Sequence, residues 1–206
     1  MTPRAHPGSS AETAADRPLR ADARRNRERI LAAAEVTFAA KGPAASTEEI
    51  AQRAEVAVGT VFRHFPTKEA LIEAVFVERL RWLTNKAQTL CAAADPGAAF
   101  FAFFIEALGQ STAKHAFTGA VGGASVDFAA ADGAIADAVQ DLRQVMTTLL
   151  GRAQRAGAVR RDMDITGLIA LLIGGSRAAE HAGGDSRVRD LTLAVIVDGL
   201  RPPTRP

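Results

Sequence analysis

Two short helical segments divided by three residues constrain this chain more than anything else in it. Ser46 or Thr47 can cap a helix, and Glu49 lies three residues after Ser46 in capping-box spacing, followed by the short apolar stripe Ile50, Ala51 and Ala54. The spacing predicts a helix over about Glu48 to Ala54. Glu55-Val56-Ala57 is then a connection, and Val58 to His64 makes another short helix. Pro66 prevents its continuation, because proline lacks the N–H that helix propagation needs and pushes the residue before it out of helical geometry. Two helices of this length joined by three residues have helix-turn-helix spacing. Just upstream, DARRNRERILAAAEVTFAA (residues 22–40) places Ile30, Leu31, Ala34 and Phe38 on one helical face, with Gly42 and Pro43 as stop signals past its end.

The remainder reads as helix as well, so the expected fold class is all-α, with about nine helices. Alanine is abundant and apolar residues recur every three or four positions. Thr67 opens a long helix carrying Leu71, Val75, Leu80, Leu83 and Leu90. Asp95 as N-cap and Pro96 at the first helical position start another, through about Thr112. A short helix is expected near His115 to Val121, and the Gly- and Ala-rich stretch from Gly122 to Ala131 supports no assignment. Asp132 can cap a helix to Ala156, stopped at Gly157. Asp162 or Asp164 starts the next, to Glu180 or His181, and Asp185 or Ser186 the last, through Leu200, before Pro202 and Pro203. The expected organisation is an arm over 1–21, a helix-turn-helix domain over 22–66, a larger helical domain over 67–201 and a tail over 202–206.

Bulk composition is almost silent about partners. Among 206 residues, 25 Lys and Arg stand against 23 Asp and Glu, a formal net charge of +2. Distribution is more informative: between Arg17 and Arg29 lie six arginines, at 17, 20, 24, 25, 27 and 29, against Asp22 and Glu28, a local net charge of +4. The first 20 or so residues lack apolar periodicity, and a segment that buries little cannot offset its ordering entropy, so a disordered basic arm is expected. The longest apolar stretch, around Leu168 to Ile173, is far short of the ~18 residues of a membrane span. Cys91 stands alone and the N-terminus has no apolar signal region, so a cytoplasmic protein with no membrane partner is expected.

The stretch TEEIAQRAEVAVGTVFRHFPTKEALIEAVF, Thr47 to Phe76, resembles the DNA-binding domain of the TetR family of transcriptional regulators. The resemblance joins the helix-turn-helix core, a G-T-aromatic-x-H-F recognition helix and a P-T-K-E-A-L helix start, in order and without gaps. Further on, LLGRAQRAGAVRRDMDITGLIALLIGG is similar to the SbtR-like ligand-binding C-terminal domains of that family. Ile50, Ala51, Val56, Val61 and Phe65 have the spacing to pack on Ile30, Leu31 and Phe38, leaving Val58, Gly59, Thr60, Phe62, Arg63 and His64 near the surface. Such a helix can enter a major groove about 12 Å wide. Gly59 and Thr60 permit close approach, and Arg63 is the best candidate for a hydrogen-bonded base or phosphate contact. The family pattern implies phosphate contacts from Thr47 and His64. Lys68 adds its charge to the positive end of a helix dipole, and Arg24 and Arg25 would lie along the DNA backbone.

Three positions depart from that pattern: Glu55 stands where glycine is usual in the turn, Ala57 where serine usually caps the recognition helix, and Phe62 where tyrosine is common. These changes bear on affinity and operator sequence more than on fold.

For the C-terminal domain the expectations are coarser. An apolar effector pocket is expected from Trp82, Phe101, Phe104, Phe117 and Phe128, with Gln110 and His115 as polar contacts; plain core packing is the alternative for each ring. The last two helices carry apolar residues on more than one face, and the resemblance implies a homodimer through Leu168, Leu172, Gly175, Leu191 and Val195, the two-fold arrangement a palindromic double-stranded DNA operator requires. The histidines and Cys91 show no metal-ligand spacing, and no nucleophile elbow, phosphate loop or dinucleotide fingerprint is present, so no metal and no cofactor are expected. The expected function is a ligand-responsive repressor released from its operator by a small, largely apolar effector. The alternatives are a dimeric DNA-binding regulator without a small-molecule ligand and, further off, a helical enzyme.

Overall fold

The computed structural model describes residues 16–118, 133–181 and 185–203, which form eight α-helices and one 3-10 turn. In chain order these are α1 (Asp16–Lys41), the 3-10 turn Gly42–Ala44, α2 (Thr47–Arg53), α3 (Val58–His64), α4 (Lys68–Cys91), α5 (Pro96–Thr118), α6 (Gly133–Arg155), α7 (Ile165–His181) and α8 (Ser186–Leu200). Among the described residues there is no strand, and no helix is long and apolar enough to cross a membrane.

Two helices run longer than their sequence signals suggest. α1 begins at Asp16 rather than Asp22, so residues 16–21, expected in the arm, are helical. Arginine, leucine and alanine are good helix formers, proline is tolerated in a first turn, and the Arg25–Asp22 and Arg24–Glu28 pairs support a helix that projects beyond its core contacts. The remainder of the expected arm, 1–15, lies outside the described residues. α5 continues to Thr118 and absorbs the separate helix expected near His115, because neither glycine nor proline interrupts residues 110–118. The expected assignment beyond it falls on 119–132, outside the described residues.

Most helix ends follow their sequence signals. The Ser46 and Glu49 capping box is formed, Thr67 Oγ1 accepts the Ala70 N–H at 3.1 Å, Asp95 Oδ1 accepts that of Ala98 at 2.9 Å, and Asp164 and Asp185 cap α7 and α8 in the same way. Gly157, at φ +73°, closes α6. After it, the Gln154 side chain donates to the carbonyls of Arg160 and Met163, which fixes the α6–α7 connection.

The apolar faces of these helices meet in two principal cores. One joins Ile30, Ala34 and Phe38 of α1 to Ile50, Val61 and Phe65 of the short helices and to Leu71, Ile72 and Val75 at the start of α4. The other contains Phe100, Phe103 and Phe104 with Met146, Leu149, Leu168 and Leu200. A smaller cluster of Phe76, Val77 and Leu80 against Ala138 lies on the next turns of α4, and Ala87, further along the same helix, belongs to the second core. One unbroken helix thus passes from the first core through the third cluster to the second.

Candidate nucleic-acid interface

The turn between α2 and α3 shows how a non-glycine residue is accommodated. Glu55 takes φ +52°, a left-handed conformation costing about 1–2 kcal/mol for an L-residue. It does so because α2 ends in a Schellman arrangement: Glu55 N–H donates to the Gln52 carbonyl and Val56 N–H to that of Ala51. The Glu55 carboxylate accepts from Arg29 Nη2 at 2.7 Å, so the residue that strains the turn also ties it to α1. At the other end of α2, Ser46 Oγ accepts the Glu49 N–H at 3.2 Å, Glu49 accepts the Ser46 N–H at 3.3 Å, and Lys41 reaches the same carboxylate. The Lys41 hydrogen bond, followed by that from the Ser46 backbone, holds the Glu49 carboxyl below the usual range.

The turn sets the direction of α3. Val61 and Phe65 are buried in the first core, and Val58 packs half-buried against it. This leaves Gly59, Phe62 and Arg63 exposed, with Thr60 and His64 half-buried beside them. No atom approaches within 4 Å of where a Gly59 side chain would begin, so another molecule can come close to the helix backbone there. Phe62 is 44% exposed, a large ring left in water on a helix otherwise well packed. Ala57, the residue before α3, makes no side-chain cap, and its carbonyl accepts the Thr60 N–H at 2.8 Å.

Around this helix stand the other predicted contacts. Thr47 is the first residue of α2 and Lys68 the first of α4, so each lies at a helix N-terminus. Arg24 and Arg25 are exposed on α1 and pair with Glu28 and Asp22 on the same helix surface. Two supporting residues escaped the sequence reading. Arg29 is the one that holds Glu55. Arg27 lies over the Phe65 ring at 4.6 Å, connecting α1 to the end of α3 through a cation–π contact. Both look in sequence like members of one basic run, and only the fold separates their roles from those of Arg24 and Arg25.

Of the residues expected to line an effector pocket, Phe101, Phe104 and Trp82 have described side chains, and these fall in two places. Phe104 is buried among Phe100 and Phe103, its ring stacked on Phe100 at 6.2 Å. Phe101 meets Phe100 edge-on at 5.3 Å and carries the Arg201 guanidinium over its face at 5.0 Å. These rings pack against one another as core. Trp82 is elsewhere, 43% exposed in a cleft between α4 and α1. Gln110, His115 and Phe117 belong to α5, with side chains outside the described residues, as is Phe128 altogether.

The expected dimer residues also divide. Leu168 is only 2% exposed and lies in the second core, turned inward rather than towards a partner. Gly175 faces inward too: a Cβ there would sit 2.7 Å from Leu108 Cδ1 and 2.9 Å from Ile196 Cδ1. Its small size lets α7 approach α5 and α8 inside the subunit, and Leu172 packs half-buried against the same core. Leu191 and Val195, at 61% and 63% exposure, do face outward, with Val188 a turn earlier and Ile173 on α7 also exposed.

The family profile for "Bacterial regulatory proteins, tetR family" matches residues 30–75, the first core with α2, α3 and the start of α4. That for "Transcriptional regulator SbtR-like, C-terminal domain" matches residues 95–202. Among solved structures, the TetR transcription regulatory protein from Mycobacterium vanbaalenii is 40% identical at a TM-score of 0.70, over 89% of this chain and 99% of that one. A TetR transcriptional regulator from Streptomyces coelicolor is 31% identical at 0.69, over 86% and 99%. The transcriptional regulator FadR from Bacillus subtilis, in complex with stearoyl-CoA, is similar in fold at 15% identity and a TM-score of 0.58, over 84% and 99%. No curated protein matches the sequence. The exposed recognition helix, the helical C-terminal domain and these likenesses lead to one conclusion: the chain belongs to the TetR family of bacterial regulators, as a DNA-binding transcription factor and not an enzyme.

Proposed function

We propose that the protein is a homodimeric repressor that leaves a palindromic operator when a small, largely apolar effector binds its C-terminal domain. The observation that carries the DNA-reading part is α3, fixed by Val61 and Phe65 in the first core while Gly59, Phe62 and Arg63 stand in solvent. Arg63 reads a base edge or a phosphate, Phe62 and Thr60 make apolar contacts with thymine methyls, and Val58 and Gly59 let the helix sit deep in the groove. Thr47, His64 and Lys68, with Arg24 and Arg25 on α1, hold the phosphates and so set register without reading sequence.

Two copies joined through the exposed α8 face of Val188, Leu191 and Val195 would place two α3 helices on successive major grooves, about 34–36 Å apart. α4 is the mechanical link, because it is continuous from the first core to the second. An effector acts by binding one separation of the DNA-binding domains more tightly than the other, and only by that difference. An apolar effector would have to seat among the helices of the C-terminal domain, where the rings of Phe101 and Phe104 supply apolar surface on opening of the second core.

Selection of bound genomic fragments by the purified protein, followed by a gel-shift screen for compounds that release it, tests the proposal. A two-fold symmetric site and a releasing compound are expected. Recovery of fragments without symmetry would overturn the dimeric reading, and symmetric sites that no compound releases would favour a regulator without a small-molecule ligand.

A further inference from the structure

The cleft that holds Trp82 borders the first core, whose Leu31 and Val75 line it, and has no part in the function proposed above. It has a volume of about 360 Å³ and is walled on one side by α1 and on the other by α4. That is the lower end of the range for small-molecule sites, roughly 300–1,000 Å³. Leu31 and Val75 give it an apolar lining, and Trp82 adds a large ring left 43% exposed. Among the described residues, three carboxylates line it, Glu28, Glu35 and Glu78, against one cation, Arg79.

These charges are not equally committed. The Arg79 side chain is 9% exposed and donates to Glu35 at 2.8 Å. Burial lowers the pKa of its guanidinium and the Glu35 charge opposes that shift, so this pair is fixed and serves as the bridge between α1 and α4. Glu28 and Glu78 differ. Their partners, Arg24 at 3.6 Å and Arg81 at 2.9 Å, are one turn away on the same helix, and the side chains of both pairs are 48–78% exposed. Exposed pairs of this kind contribute about 0–1 kcal/mol and exchange readily. The lining therefore offers two replaceable carboxylates beside a partly exposed indole.

We propose that this cleft binds an organic cation with an apolar body, its charge between Glu28 and Glu78 and its body on Trp82, Leu31 and Val75. A cation over an indole is attracted by the ring quadrupole, and tryptophan is the best of the aromatic residues for this. An anion meets two carboxylates there. A neutral molecule gains the apolar lining alone. The proposal does not rest on the effector reading: the rings of Phe101 and Phe104 belong to the second core, and loss of either reading leaves the other standing.

Trp82 is the only tryptophan in the chain, so its fluorescence reports on this cleft directly. The full-length protein is titrated with benzyltrimethylammonium, with the uncharged N-benzylacetamide and with benzoate. A saturable fluorescence change is expected for the cation, with affinity about tenfold above that for either other probe and falling as salt is added, since salt screens exposed charge. The Glu28→Gln, Glu78→Gln double variant should bind the cation at least about fivefold more weakly, with helix content and melting temperature unchanged. Equal binding of amide and cation, a cation affinity indifferent to salt in the unmodified protein, an unaffected double variant, or no saturable change would each overturn the proposal.

Discussion

The first core and the second differ in how far the chain must travel to build them. The first core is closed between Ile30 and Val75 around two helices of seven residues each, with caps at Ser46 and Thr67 and a stop at Pro66, so each short helix has one available face. The second core brings Phe100, Met146, Leu168 and Leu200 together from four long helices. The last two of those helices are apolar on more than one side, and local spacing cannot say which side meets which. Where elements are short, the segment dictates its own exposure; where they are long, neighbours do.

The largest test of that contrast is truncation in each core. Phe38→Ala and Phe104→Ala each remove a fully buried ring and are expected to cost about 3–5 kcal/mol. Because α4 passes through both cores, thermal melting followed by circular dichroism should remain a single transition for both variants. Two separate transitions would show that the regions are independent units. A second test addresses the outward face of the long helices. Leu191→Asp with Val195→Asp should leave a folded chain that no longer pairs, and operator affinity should fall by about a hundredfold or more as the two half-sites lose their linkage. Light scattering checks the first consequence and gel shift the second; a variant that still pairs would place the interface elsewhere.

Smaller effects probe the short helices. Arg63→Ala should weaken operator binding by about 1–3 kcal/mol, roughly five- to 150-fold, with no change in melting temperature. Equal binding by the variant would remove Arg63 from the interface. Ser46→Ala should cost about 1 kcal/mol through the lost cap. The linked carboxylate also gives that site a pH dependence. Because the folded pKa of Glu49 is depressed, its contribution is present above the usual carboxylate range and disappears as pH falls through the lowered value. Acid titration of stability should therefore flatten in Lys41→Ala, which removes the largest cause of the lowered pKa, and keep its shape in Ser46→Ala, which retains the backbone N–H. Smallest of all is Glu55→Gly. It relieves the left-handed strain at φ +52° but removes the exposed pair with Arg29, so the net change in stability should stay below about 1 kcal/mol. A large loss would mean that Arg29 and Glu55 fix the turn, and a large gain that the strain outweighs their pair.

Much of the fold was legible from the start. Caps and breakers act within a few residues, so α2, α3 and the start of α5 lie within a residue or so of expectation. The missed ends have local reasons: no breaker interrupts α5 before Thr118, and α1 extends by intrinsic helix propensity without needing core contacts. Site legibility followed the same rule. The exposure of Gly59, Phe62 and Arg63 is dictated by the burial of Val61 and Phe65, which lie four residues apart on the opposite side of α3. For Trp82 and Gly175, spacing showed only an apolar or small residue on a long helix, and nothing local distinguished a cleft from a core.

By itself, then, the sequence determined an all-helical chain, a short-helix pair with one face turned outward, and a family likeness, because periodicity, capping and proline act over distances the linear chain encodes directly. Tertiary structure decided the rest. It separated Arg27 and Arg29, which brace the turn and α3, from Arg24 and Arg25, which stay exposed. It turned Leu168 and Gly175 inward while leaving Leu191 and Val195 outside, and set Trp82 in one cleft with three carboxylates. Those outcomes depend on which helix faces which, a choice made by packing between segments far apart in the chain.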